Sequence, residues 1–252
     1  MARLSELIDD ANEYLDVANI PDYPGAVNGL QVENNGEVTR VAAAVDSTLP
    51  VIEKAVAAGA DLLVVHHGLF WQGAQPVTKA NYRKLKLALD NNLAIYSVHI
   101  PLDVHPVIGN NALLAKACGL DAAEPFFPWK GILLGLRQKV DLSLDALMES
   151  VTKAVGGERP HVCPAGPEQV KQVGIITGGA GSEIAAAASE GVDTFITGEG
   201  PHWSYGLAEE LGINVIYAGH YATETFGVKG LVARMAEKFG MEHTFIDHPT
   251  GI

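Results

Sequence analysis

Cysteine is scarce in this sequence, with only Cys118 and Cys163 among 252 residues. They lie far apart and form no CxxC pair, so neither a disulfide framework nor a thiolate zinc site has support. Any metal site must therefore be built from nitrogen and oxygen ligands.

Positive charge and long apolar runs are also scarce. Lysine and arginine number 17 against 30 acidic residues, a formal charge of -13, which disfavours binding to nucleic-acid phosphates. No stretch approaches the roughly 18 consecutive apolar residues that a membrane span requires. The N-terminal segment is acidic where a signal peptide would be basic or apolar, so we expect a cytoplasmic protein that does not bind membranes.

What the composition does contain is typical of a compact globular protein. Hydrophobic residues make up 48% of the chain and charged residues 19%, which excludes a largely disordered chain. A chain of this length can form one large domain or two modest ones.

The predicted fold is organised around the stretch DLLVVHHGLFW, residues 61–71. Residues 61–65 have the length and β-branched content of a buried parallel strand, which Gly68 ends. His66 and His67 then lie at the carboxyl end of the strand, where α/β sheets place their ligand sites. Side chains alternate along a strand, so these imidazoles share a site only if the backbone turns at Gly68 or if two metals are bound.

A strand-helix-strand unit occurs twice. Residues 41–65 align with 173–197 without a gap, and the predicted helices are 51–58 and 183–190. Four positions of this alignment carry the same residue in both copies, two inside the unit and two just after it. They are Gly59, Asp61, Gly68 and Trp71 in the first copy and Gly191, Asp193, Gly200 and Trp203 in the second. This agreement indicates duplication. Glu199 lies in the segment that replaces the histidine doublet, so metal binding is predicted for one copy only, with Glu199 facing the same cleft from the other domain.

Each copy continues into a Tyr-x-x-His-x-x-x-acid pattern after a further strand, at 93–97 and 213–217. The pattern comprises Tyr96, His99 and Asp103 in the first copy, and Tyr217, His220 and Glu224 in the second. Pro101 prevents a continuous helix, so Asp103 is expected in a loop or in the first turn of a helix. His220 and Glu224 share a helix face if residues 221–223 are helical.

The remaining segments are simpler. Spacing predicts helices at 3–18, 84–91, 144–155 and 227–239, strands from 131 and at 243–246, and a loop at 28–31. Residues 125–130 are rich in proline and aromatics and are expected to join two domains.

Six polar side chains are predicted at the carboxyl edge of one sheet: His66, His67, His99, Asp103, His220 and Glu224. Imidazole and carboxylate ligands suit zinc, iron or manganese, and a carboxylate can bridge two ions. The set is too large for one catalytic ion and about right for two. The alternative is that these residues lie in separate parts of the fold and form no common site.

The joint presence of NGLQ (28–31), DLLVVHHGLFW, YSVHIPLD (96–103), DTFITGEG (193–200) and AGHYATE (218–224) resembles the Nif-three-like dinuclear metal-centre family. Its members are often named GTP cyclohydrolase I type 2 homologues. The resemblance covers nearly the whole chain. It implies an α/β fold of two interleaved domains, the second inserted into the first, and a homo-oligomer, often a hexameric ring. On this chain the domains are expected at 1–125 with 205–252, which binds the metals, and at 126–204.

The resemblance also implies a site. The metal ligands would be His66, His67, Asp103, His220 and Glu224, with Glu224 bridging two divalent ions, and His99 would lie beside the centre or face the substrate.

Three functions fit this site. The first is a metal-dependent hydrolase. For it the resemblance implies GTP as substrate, with opening of the purine imidazole ring and loss of formate, and His99 would then be the proton donor to the leaving nitrogen. A phosphoester or nucleotide hydrolase would use the same ligands. A non-enzymatic protein would store or deliver metal or act as a regulatory scaffold. A toroid that binds DNA is disfavoured by the acidic charge.

Overall fold

The computed structural model describes residues 2–73 and 75–251. Within this part of the chain no helix is long and apolar enough to cross a membrane. The strands are β1 (Ala2–Arg3), β2 (Gly29–Val32), β3 (Glu37–Val38), β4 (Arg40–Asp46), β5 (Leu62–His67), β6 (Ala94–Ser97), β7 (Glu124–Trp129), β8 (Ile132–Ser143), β9 (His161–Pro164), β10 (Gln169–Ile175), β11 (Thr194–Thr197), β12 (Asn214–Tyr217) and β13 (Glu242–Phe245). The helices are α1 (Leu4–Tyr14), α2 (Leu49–Ala57), α3 (Lys79–Asp90), α4 (Ile100–Asp103), α5 (Asn110–Ala117), α6 (Leu144–Ala154), α7 (Ile184–Ser189), α8 (Trp203–Leu211) and α9 (His220–Phe239), with a 3-10 turn at Ala180–Glu183.

The chain folds into two compact units, and the second is inserted into the first. The first unit comprises the chain up to Leu102 together with Gly227–His248. The second comprises Asp103–Phe226 and residues 249–251. The fold is therefore α/β with two interleaved domains, as the sequence predicted.

The unit boundaries differ from the expected ones at 125/126 and 204/205. Strand β7 pairs with β8, and β12 pairs with β11, so both belong to the sheet of the second unit. These pairings place residues 103–125 and 205–226 with the inserted unit. The boundaries follow strand pairing, which the order of motifs along the chain does not reveal.

The first unit is built on a five-stranded sheet in the order β13-β4-β5-β6-β2. Its strands are parallel except β2, which is antiparallel to β6. The loop predicted at 28–31 is wrong, because Gly29 and Leu30 pair with Ser97 and Tyr96.

The core of the first unit lies on both faces of this sheet. On one face, Leu63 and Val65 of β5 pack with Ile52 of α2 and Ala88 of α3. On the other face, Tyr96 is fully buried and its hydroxyl donates to Asn12 Oδ1 of α1 at 3.0 Å. Burial on both faces explains why β4 and β5 are continuous apolar runs rather than alternating ones.

The second unit contains a six-stranded sheet in the order β7-β8-β10-β11-β12-β9. Strands β10, β11 and β12 are parallel neighbours. Strands β8 and β9 are antiparallel to β10 and β12, and β7 is antiparallel to β8. Its core packs sheet residues such as Val173, Ile196 and Ile216 with Leu147 and Val151 of α6. The segment predicted as a domain joint at 125–130 lies largely in strand β7, so that prediction was wrong.

The two units repeat one folding pattern, as the aligned sequences predicted. Strands β4, β5 and β6 in the first unit and β10, β11 and β12 in the second are three consecutive parallel strands with helices between them. Asp61 Oδ2 accepts from the amides of residues 39 and 40, at 2.7 and 3.0 Å. Asp193 Oδ2 accepts from the amides of residues 171 and 172, at 2.8 and 3.0 Å. Both aspartates therefore join the start of their strand to the neighbouring strand.

The expectation that all six site residues follow strands of one sheet is wrong. His66, His67 and His99 follow or end strands of the five-stranded sheet, whereas His220 follows β12 of the six-stranded sheet. Each copy of the repeat forms part of its own sheet. The similar motifs after β6 and β12 therefore lie at the carboxyl edges of two different sheets.

Candidate metal centre

Three histidines converge at the carboxyl edge of the first unit's sheet. His66 and His67 are the last residues of β5, and His99 follows β6, the next strand. One ring nitrogen from each lies within 4.8 Å of the others. The strand continues through His67, yet the rings of His66 and His67 are centred only 4.9 Å apart. The two imidazoles therefore lie close together although the strand continues through His67.

Each of these rings is oriented by a hydrogen bond at Nδ1. His66 Nδ1 donates to the carbonyl oxygen of Val98 at 3.0 Å. His67 Nδ1 donates to Asp46 Oδ1 at 2.9 Å. Carbonyl and carboxylate oxygens only accept, so Nδ1 is the donor in both rings, and Nε2 is the nitrogen through which each ring would bind a metal.

His99 is oriented in the same way by Asp22. Its Nδ1 donates to Asp22 Oδ1 at 2.8 Å, and the Asp22 side chain is only 8% exposed. Asp22 Oδ2 also accepts from the Ile100 amide at 2.9 Å and from Asn28 Nδ2 at 2.8 Å. Burial by itself raises the pKa of Asp22, but the bonds and charge from His99, with those from Asn28 and an amide, hold it below its usual value. Asp22 is therefore a carboxylate at neutral pH.

The chain after the doublet is held by Gln31 of β2. Its Oε1 accepts from the Leu69 amide at 2.7 Å, and its Nε2 donates to the carbonyls of Ala26 and Val27. A Cβ at Gly68 would lie 2.3 Å from the Gln31 side chain and 2.6 Å from Ser97 Oγ. Gly68 is thus required by close packing, which explains why glycine follows the doublet.

In the second unit, His220 and Glu224 lie on one face of α9, as their spacing predicted. Helix α9 begins at His220, seven residues earlier than expected for the last helix. His220 Nε2 lies 3.1 Å from Glu224 Oε1, and His220 Nδ1 donates to Glu199 Oε1 at 2.8 Å. Burial lowers the pKa of His220, but the two carboxylates outweigh it and raise the pKa to about 9.

The loop after β10 makes room for the Glu224 carboxylate. Gly178 has a φ of +69°, and a Cβ there would lie 2.2 Å from Glu224 Oε1. Its amide donates to Thr223 Oγ1 at 3.1 Å, which ties the loop to α9. Gly178 and Gly179 lead into the 3-10 turn at Ala180–Glu183, and Gly178 leaves space for an acidic side chain.

Asp103 lies at the end of the short helix α4 and is buried within the second unit. Its Oδ1 accepts from Asn110 Nδ2 at 2.8 Å and from Thr177 Oγ1 at 3.4 Å. Of the two predicted settings for Asp103, a loop or the first turn of a helix, the structure shows the second. Thr177 precedes Gly178, so Asp103 belongs to the same part of this unit as the loop beside Glu224.

Comparison with known proteins decides the family. The family model for Duf34/NIF3 (NGG1p interacting factor 3) matches residues 2–251. This chain belongs to the Duf34/NIF3 family. A relative from Pyrococcus abyssi is 41% identical over 249 residues, covering 98% of both chains, and one from Deinococcus radiodurans is 39% identical, covering 98% of this chain and 94% of its own. Both relatives are named GTP cyclohydrolase 1 type 2 homolog.

A solved structure has the same fold as this Duf34/NIF3 chain. The crystal structure of TTHA1606 from Thermus thermophilus aligns with a TM-score of 0.88 at 35% identity, covering 99% of this chain and 100% of the other. The resemblance inferred from the motifs is therefore confirmed at the level of family and fold.

Sequence reasoning missed two residues of this Duf34/NIF3 site, Asp22 and Asp46. Asp46 ends β4 and lies opposite His67 in the parallel register of β4 and β5, so an acid at the end of the preceding strand was a usable signal. Asp22 lies in an irregular segment far from His99 in sequence, so no sequence signal pointed to it. Glu199 was expected in a different domain from His220, but the structure places both in the second unit.

The donor set of this Duf34/NIF3 protein fits divalent metals. Each of the four histidines His66, His67, His99 and His220 donates Nδ1–H to an oxygen acceptor, which is the usual arrangement of metal-binding histidines. Glu224 contributes a buried carboxylate with space kept for it by Gly178.

Proposed function

We propose that this protein binds two divalent metal ions per subunit through His66, His67, Asp103, His220 and Glu224, with Glu224 as the bridging carboxylate. Zinc, iron and manganese all accept this set of imidazole and carboxylate ligands. The observation that carries the proposal is the common orientation of the histidine rings, each anchored at Nδ1 by an oxygen.

The activity we propose is metal-dependent hydrolysis of a nucleotide, with opening of the purine imidazole ring of GTP and release of formate. The names of the relatives support this substrate, since they are called GTP cyclohydrolase 1 type 2 homologs. When bound, two metal ions supply a water whose pKa is lowered toward neutrality.

The chain's own residues supply the rest of the chemistry. His99 donates a proton to the ring nitrogen that leaves, and Asp22 keeps its Nδ1 protonated and its ring in one orientation. Asp46 and Glu199 act in the same way on the orientation of His67 and His220. These carboxylates also offset part of the positive charge that bound ions bring to the site.

Metal content and turnover test the proposal together. The purified protein is expected to contain about two metal ions per chain and to release formate from GTP in the presence of added divalent ions. The Glu224→Gln variant keeps the side chain's size but loses the bridging charge, so it should lose metal and formate release. Asp90→Asn, an exposed carboxylate-to-amide change on α3, is the matched control and should retain both.

The other outcomes of this assay identify the alternatives. Release of phosphate from GTP or from simple phosphoesters would replace the ring-opening reaction with phosphoester hydrolysis. Retention of metal without turnover of any substrate would favour metal storage, metal delivery or a regulatory scaffold. A chain without bound metal after incubation with zinc, iron and manganese would refute the site itself.

We also propose a cytoplasmic homo-oligomer, a hexameric ring by analogy with the family. The negative charge of the chain favours a small-molecule substrate over nucleic acid. Light scattering after gel filtration measures the oligomeric mass, and a monomer at micromolar concentration would contradict the ring.

A further inference from the structure

The second unit contains a cavity of about 860 Å³ that the proposed metal ligands do not occupy. Strands β9 and β12, helix α8 and the loop before it provide its walls. The aromatic and polar side chains that line it include His161, Glu199, Trp203, Ser204, Tyr205 and Tyr217. The volume is in the range of sites that hold small organic ligands, roughly 300–1,000 Å³.

Four aromatic rings line this cavity, and we call them the aromatic wall: His161, Trp203, Tyr205 and Tyr217. His161 and Tyr217 are register partners on the antiparallel strands β9 and β12, and their rings are stacked at 25° with centroids 5.9 Å apart. The His161 ring also lies 5.7 Å from that of Tyr205. Trp203 is 55% exposed although it is a large apolar residue. Such a surface favours stacking with a flat ring.

The wall is held in place before any ligand arrives. Ser204 Oγ and the Tyr217 hydroxyl are hydrogen-bonded at 2.7 Å, and Ser204 is 1% exposed. A Cβ at Gly200 would lie 2.9 Å from the Tyr217 ring and 2.7 Å from Ser204 Oγ. Glycine at this position thus lets the Tyr217 ring approach the loop closely, and a ring that is already held in place loses little entropy when a ligand stacks on it.

The charge of the cavity selects the kind of ring. Among the described residues that line it, Glu199, Glu209 and Glu210 are acidic and none is a lysine or an arginine. Such a lining does not attract phosphate, but it does accept hydrogen bonds from N–H groups on the edge of a ring. Purines and pterins with an amino group present that edge.

Glu199 connects the cavity to the candidate metal ligands. It lines the cavity, and its Oε1 accepts the hydrogen bond from His220 Nδ1. We infer that the aromatic wall binds a planar aminated heteroaromatic base, such as guanine, next to His220. The inference rests on the proposed function only in naming this base as part of the substrate.

Titration calorimetry with guanosine tests the inference without requiring turnover. Trp203→Ala should weaken guanosine binding about ten-fold, because stacking of a base on one aromatic residue is worth this much or more. Trp203→Phe keeps a stacking face and should stay within about three-fold of the unchanged protein. The matched control is Leu211→Ala, which truncates another exposed apolar residue on α8 outside the cavity and should leave binding unchanged. Ribose, which has no aromatic ring to stack, should not bind.

Metal content and formate release are measured on the same variants. Guanosine binding that depends on Trp203 in a protein without turnover would support the base site while the hydrolase proposal failed. Guanosine binding of equal strength in Trp203→Ala, or none in the unchanged protein, would overturn the inference. A lower oligomeric mass of Trp203→Ala with guanosine binding unchanged would assign the wall to a contact with a second copy of the chain, and would also overturn it.

Discussion

Asp22 Oδ1 and His99 Nδ1 are joined by a 2.8 Å hydrogen bond across 77 residues of sequence. The same carboxylate accepts from the Ile100 amide, so it positions both the ring and the backbone that carries it. Asp22 is therefore the residue on which the proposed proton donor depends.

Replacing Asp22 by asparagine should lower the rate of GTP hydrolysis about 10- to 100-fold, because a neutral partner no longer holds His99 in one tautomer. Steady-state kinetics and metal analysis measure the effect. If His99 acts as proton donor, kcat falls and metal content stays unchanged, whereas loss of metal would make His99 a ligand. Glu13→Gln, on the exposed face of α1, is the control. A wild-type rate in Asp22→Asn would contradict the role of His99.

Asp46 should control how tightly the site of His67 binds metal. In Asp46→Asn the Nδ1 partner loses its charge, and metal affinity is expected to fall about 10- to 100-fold. Competition with a chelator of known affinity measures it. The control Asp90→Asn removes a carboxylate from an exposed ion pair and should leave the metal affinity unchanged. Equal affinities in the two variants would show that Asp46 does not support the ligand.

Gly178→Ala should remove metal through steric contact with Glu224. The new Cβ would lie 2.2 Å from Glu224 Oε1 and must displace the carboxylate, in addition to the strain of a positive φ. Gly212→Ala is the matched control, since its φ of +65° is nearly the same but the nearest atom lies 4.0 Å away. Both variants should lose about 1 kcal/mol of stability from backbone strain, and only Gly178→Ala should lose bound metal. Metal retained in both would refute the argument.

Asp10 stabilises the first unit through two basic residues of α9. Its carboxylate accepts from Arg234 at 2.5 and 3.2 Å and pairs with Lys238. The hydrogen bond from Arg234 is the main reason that the pKa of Asp10 lies below 3.8, with burial opposing it. A carboxyl group whose pKa is lower in the folded state stabilises the protein above its unfolded pKa, and the stabilisation is lost as pH falls through the folded value.

Asp10→Asn should therefore lower the free energy of unfolding by about 1 kcal/mol at pH 7. The difference from the unchanged protein should shrink as pH falls below 3.8. Urea unfolding at a series of pH values measures it. Asp9→Asn, which changes the exposed neighbour, should have no effect at any pH. A difference that stayed constant down to acid pH would show that packing, and not the ion pair, is responsible.

Most helices and strands near the site were predictable because their signals are local. The apolar run of β5 ends at the histidine doublet, and the matched aspartates of the repeat, Asp61 and Asp193, make the same bonds to the preceding strand. Strand β2 was missed because it is a short edge strand whose pairing with β6 leaves no periodic pattern. Strand β7 was missed because its prolines resemble those of a linker, and its pairing with the long β8 overrides that preference.

By itself, the sequence determined which side chains are candidate ligands, the duplicated α/β pattern and the order of the segments, since apolar periodicity, glycine positions and residue chemistry are properties of short stretches. Only the tertiary structure decided which oxygen orients each imidazole and which sheet carries each motif. Asp46 reaches His67 through the register of two strands, and Asp22 reaches His99 across a long separation in the chain. Such contacts depend on how strands pair and pack, and no local pattern encodes them.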